Sequence, residues 1–152
     1  MSALDEIPIR VETGEGLARN ALPVLHELRH ALRRLIETGE TTVIDLHAMP
    51  FGPGDEEQLL AALGTGEVSA RLTALGESRI AEASYPGVWI VDHYNTHGQR
   101  IAYHIEVTSV PAVLVTQPED MADGLERLEA ALAEPAEPES WPASNELRSQ
   151  HG

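Results

Sequence analysis

At 152 residues the chain is the size of one domain, long enough for one proper core and too short for two. Its formal charge is -15, and arginine supplies all ten cations, so a broad nucleic-acid or anionic-membrane surface is excluded. Cysteine is absent, which excludes disulfides, thiolate metal sites and a cysteine-held iron–sulfur cluster.

The opening MSALDEIPIR carries acids where a signal peptide needs a basic start, and runs such as VWIV and AVLV are far too short to span a bilayer. The expectation is a soluble cytoplasmic protein with no membrane insertion. A short strand is predicted at Ile7–Val11, followed by a loop containing TGEG. Pro23 then stands near the start of a helix that runs to about Thr38 and stops at Gly39, with Leu25, Leu28, Leu32, Leu35 and Ile36 as its core stripe. TTVIDLHAM alternates like a strand. PFGPGD turns the chain, and Asp55 is placed to N-cap a second helix, EEQLLAAL, ended by Gly64.

This β-α-β-α opening gives way, from Gly66 to Thr108, to four strand-like runs separated by turns, which read as an antiparallel meander. NTHG at Asn95–Gly98 marks a hairpin. A two- or four-residue loop there pairs Trp89 with His104 and Val91 with Ala102. Ile101, Tyr103, Ile105 and Val107 then face the core. Arg100, Ala102, His104 and Glu106 share the other face with Trp89, Val91 and His93. A third helix begins near Pro118, with Met121, Leu125, Leu128 and Leu132 at helical spacing. The predicted class is α+β, with helices packed on one sheet in a single domain over 1–133. Residues 134–152, rich in Pro, Glu and Ser, are predicted to be a flexible tail.

LHELRH contains H-E-x-x-H, the zinc-protease spacing that sets two ligands one helical turn apart. Chance gives that motif in only about one chain in 25 of this composition, so it needs a physical test. On a helix, His26 and His30 project opposite the leucine stripe, with Arg29 and Arg33 beside them, and the continuation ALRRLIE lacks the glycine and third histidine of the extended motif. A solvated face is the better reading, and a zinc-dependent hydrolase built on His26 and His30 is the alternative. Asp45 and His47 share a strand face without a specified nucleophile and read as a structural pair. The glycine turns GEGLARN and GPGDEE lack the lysine and hydroxyl of a phosphate loop. No catalytic residue, cofactor site or metal site is assigned. Trp89, His93 and His104, on one sheet face, are the candidate partner-binding residues, with Trp89 as the anchor if it is exposed. The competing expectation is that Trp89 is simply core.

Several stretches together resemble the C-terminal conserved region of the HupH/HyaF/HoxQ family of accessory proteins for nickel–iron hydrogenase maturation. They run from about Ile7 to Leu114 and include IETGE after the first helix, GEVSA at Gly66–Ala70, YPGVW at Tyr85–Trp89 and HIEVT at His104–Thr108. The resemblance implies a chaperone-like, non-enzymatic role, with the iron–sulfur small subunit precursor of a hydrogenase, and other maturation factors, as partners. Many family members are nearly twice as long and carry a further half before this region. YPGVW and HIEVT carry over only as contact or structural positions.

Overall fold

The computed structural model describes residues 20–133. The strand expected at Ile7–Val11, the TGEG loop and the tail beyond Ala133 lie outside them. The described residues form two compact units, divided between Ala112 and Val113.

In the first unit, helix α1 (Leu22–Thr38) starts with Pro23 in its first turn, where no amide donor is needed. It ends at Gly39, whose N–H donates to the Leu35 carbonyl. Val24, Leu28 and Ala31 are buried, and Leu25, Leu32 and Leu35 pack at the edge of the core. Ile36, expected in the stripe, is 77% exposed. The stripe centres on Val24 and Leu28, which rotates Ile36 off the buried side.

Strand β1 (Thr42–Asp45) is shorter than the alternation of TTVIDLHAM suggested, because the Asp45 carboxylate accepts the His47 amide at 2.9 Å and folds Leu46–Ala48 into a 3₁₀ turn. Helix α2 (Asp55–Leu63) follows. Asp55 was expected at the N-cap, but Gly54 holds that position and Asp55 is the first helical residue. Its carboxylate turns back to accept the Gly52 amide at 2.7 Å and the Asn20 side-chain amide at 2.6 Å.

Strands β2 (Ser69–Ala74), β3 (Gly76–Glu82), β4 (Val88–Tyr94) and β5 (Arg100–Val107) form the expected antiparallel meander. Strand β1 joins it beside β5, giving the order β1-β5-β4-β3-β2. One sheet face, through Ile44, Val88, Tyr103, Ile105 and Val107, packs with α1 and α2 into the main core. Gly87, in the β3–β4 turn, has φ 95°, and a Cβ there would lie 3.2 Å from Leu32 Cδ1, so a side chain at this position meets α1.

The β4–β5 register differs from expectation by two residues: Trp89 pairs with Glu106 and Val91 with His104. Two irregularities cause this. The Asn95 amide donates to the Gln99 carbonyl and the Gly98 amide to the Asn95 carbonyl, closing a three-residue loop with Gly98 at φ 79°. A bulge beside His93 and Tyr94 then leaves Ile101 without a cross-strand partner, and Ile101 is 59% exposed rather than in the core.

In the second unit, helix α3 (Pro118–Ala133) has Glu119 and Asp120 in its first turn, which suits the positive end of the helix dipole. Among the described residues no helix is long and apolar enough to cross a membrane.

Candidate functional site

The face of the sheet turned away from α1 and α2 carries the three residues singled out by sequence. His93 and His104 come together, with ring centroids 6.2 Å apart. Ser78 on β3 hydrogen-bonds His93 Nδ1 at 2.6 Å, and His104 Nε2 lies 3.4 Å from Glu106 Oε1. Glu106 Oε2 accepts the Ala112 amide at 3.0 Å, so this buried carboxylate fastens the segment leaving β5 onto the sheet. A polar chain thus crosses three strands diagonally, from Ser78 through both histidines to Glu106.

Trp89 does not act as an exposed anchor. It is 7% exposed, stands opposite Glu106, and its indole N–H donates to the Thr108 carbonyl at 3.1 Å. The Thr108 amide in turn donates to the Gly87 carbonyl, so YPGVW and HIEVT are bonded to each other. These two stretches, which carried much of the resemblance, hold the end of the sheet together. Ile80 and Val91 are also buried on this face, where Ser78, His93 and His104 are half-buried and Asp45, opposite His104, is exposed.

The Ser78–His93 contact has the length of a nucleophile–base pair, yet among the described residues no carboxylate is hydrogen-bonded to His93 to orient it. The arrangement is a hydrogen-bonded polar surface. His26 and His30 lie on the exposed side of α1, opposite Val24 and Leu28. Among the described residues no group of three His, Asp or Glu side chains is placed to hold a metal. Asp45 caps the turn that begins at Leu46, while His47 leans on Tyr103, with ring centroids 6.2 Å apart.

Sequence reasoning missed a second cluster, at the end of the sheet that carries the β2–β3 and β4–β5 turns. Register sets Arg71 opposite Arg79, Arg79 opposite Asp92, and Asp92 opposite Tyr103. Arg71 and Arg79 share Glu77, at 2.8 and 3.1 Å. Arg100 binds Asp92 through two nitrogens, at 2.8 and 3.1 Å, and its guanidinium lies 3.9 Å from the Tyr103 ring centroid. Arg79 and Arg100 both lie against Tyr94, and a recess of about 420 Å³ opens beside it, lined by Glu77, Arg79, Tyr94 and Asn95 among others. The only sequence sign was arginine on three separate strands; the register brings those arginines together.

Burial pushes the Tyr103 phenol well above the ordinary tyrosine range, with the neighbouring Glu56 carboxylate adding to the rise. The folded state therefore holds this proton after the unfolded chain has released it. Stability contributed by the neutral phenol is complete below about pH 10 and is lost as pH climbs from there toward the folded-state value. An ultraviolet titration should show a phenolate component appearing only at strongly alkaline pH, and Tyr103→Phe should remove it. If the substituted protein keeps that component, it belongs to another residue.

With the fold and these clusters in place, comparison with known proteins is specific. The C-terminal conserved region of the HupH hydrogenase expression protein matches residues 18–134. The hydrogenase expression/formation protein HoxQ of Azotobacter vinelandii is 38% identical over 119 residues, which is 77% of this chain and 42% of HoxQ. The hydrogenase-1 operon protein HyaF of Escherichia coli K12 is 29% identical over 109 residues, 72% of this chain and 38% of HyaF. Among solved structures, the hydrogenase expression protein HupH from Thiobacillus denitrificans superposes with a TM-score of 0.72 at 42% identity, covering 74% of this chain and 94% of that one. The chain spans about two-fifths of the length of HoxQ and HyaF. It belongs to the HupH hydrogenase expression protein family, through that family's C-terminal conserved region.

Proposed function

We propose that this chain is a non-enzymatic, chaperone-like accessory protein of nickel–iron hydrogenase maturation, acting in the cytoplasm by binding the iron–sulfur small subunit precursor before assembly. The observation that carries this reading is the match to hydrogenase expression and formation proteins across most of the described fold. The chemistry of the surface supports it. Ser78, His93 and His104 display hydrogen-bonding groups on a rigid sheet, and the charge of -15 attracts a basic segment such as the twin-arginine signal of such precursors. The contact face we assign is the one bearing His93 and His104, with Trp89 buried farther along the same face and bonded to the Thr108 carbonyl.

The test is co-purification of the tagged chain from cells expressing a hydrogenase operon. The expected result is recovery of the small subunit precursor, weakened by added salt and reduced several-fold in a His93→Ala/His104→Ala variant that melts like the parent. Recovery of no hydrogenase component would sink the accessory reading. Undiminished capture by the double variant would move the contact face elsewhere. Defined peptide cleavage by the purified chain, lost in His26→Ala/His30→Ala, would establish the hydrolase instead.

A further inference from the structure

Helix α3 presents a row of large apolar side chains to solvent: Met121, Leu125, Leu128 and Leu132 are each about half or more exposed, and no residue of the helix is buried. Their spacing of four, three and four residues is that of a coiled-coil seam. With 3.6 residues per turn, Gly124 and Ala131 border the row on one side, and Ala122 and Glu129 on the other, while Glu119, Asp123 and Glu126 project to the far side. Nothing lies within 4 Å of where a Cβ on Gly124 would sit. Small flanks let a second helix approach closely. A helix this short is marginal by itself in water and is stabilised by burying such a face.

We propose that α3 pairs with α3 of a second copy of this chain, antiparallel, about a two-fold axis. The borders are self-complementary in that arrangement: Gly124 faces Ala131 of the second copy, and Glu129 faces Ala122, so no like charges meet at the seam. Orientation follows from where the acids lie. Glu119, Asp120, Asp123 and Glu126 fill the first part of the helix, and a parallel pair sets these regions side by side, whereas the antiparallel pair separates them. The seam is only two heptads, shorter than the three to four that sustain a coiled coil. The dimer is therefore concentration-dependent.

Sedimentation of the full chain over a range up to ~100 µM, where weak interfaces of this size assemble, should show the mass rising toward twice that of the monomer. Because each α3 carries mostly acids and the seam is apolar, added salt should favour the dimer. Leu125→Glu/Leu128→Glu should return it to monomer. The native chain has no cysteine, so introduced thiols report orientation without background. A mixture of Gly124→Cys and Ala131→Cys chains should form the mixed disulfide, with little of either symmetric product. A monomer at every concentration overturns the proposal, as does a dimer that survives the double glutamate substitution or dissolves in salt. Absence of the mixed disulfide in a proven dimer overturns the antiparallel pairing.

Discussion

Trp89→Ala should destabilise the sheet unit by about 3–5 kcal/mol, the range for removing a buried aromatic from a packed site. For a domain of this size that is a fall in melting temperature of at least about 10 °C. The indole is 7% exposed and also donates to the Thr108 carbonyl, so alanine both empties a volume and leaves that oxygen without its donor. Trp89→Phe separates the two effects. It keeps most of the ring and loses the N–H, and its expected penalty is about 1–2 kcal/mol. Circular dichroism melts of the three proteins test this, and an alanine variant that melts with the parent would mean that the ring supports nothing. The result also bears on function, since loss of precursor capture by Trp89→Ala is interpretable only alongside its stability.

Asp55→Ala is expected to destabilise by about 2–4 kcal/mol, through loss of a buried acceptor that serves two donors. The Asp55 carboxylate is 1% exposed and joins Gly52, before α2, to Asn20, before α1. Removing it leaves the Gly52 amide and the Asn20 side chain unsatisfied and takes a negative charge from the first turn of a helix, where that charge is favoured. The loss should begin locally. Amide hydrogen exchange in α2 should accelerate before the sheet melts, because Leu59 and Leu63 hold their core positions only while that helix is docked. Asp55→Asn, which keeps an acceptor oxygen, should lose less. Equal exchange in all three proteins would show that the carboxylate is not what secures α2.

Much of the fold was legible because local chemistry decides it. Pro23 and Gly39 bracket α1, Gly64 ends α2, and the alternation of RIAYHIEV marks β5. What escaped was set by interactions distant in sequence. The burial of Trp89 depends on where Thr108 returns, and hydrophobicity alone does not distinguish a tryptophan under a returning segment from one in solvent. Asp55 reads as a cap from its position before EEQLLAAL, and only the approach of Asn20 shows why the carboxylate turns inward. The arginine–tyrosine cluster was illegible for the same reason: Arg79, Asp92 and Tyr103 become neighbours only when the strand register is known. His93 and His104 were correctly placed on one face despite the wrong register, since an error of two residues preserves which side each chain position faces.

That parity limits how this hairpin can change over evolutionary time. The three-residue loop alone would set Trp89 opposite Ile105, mixing the two sides of the sheet; the bulge at Ile101 supplies the second offset that returns Trp89 to Glu106. The two irregularities set the register together. Pairing Ile101 into the ladder, with the loop unchanged, would turn β5 inside out, placing His104 and Glu106 among the leucines. A lineage that straightens this strand must lose one residue between Asn95 and Ala102 in the same step, so descendants that keep the length and lack the bulge should be rare.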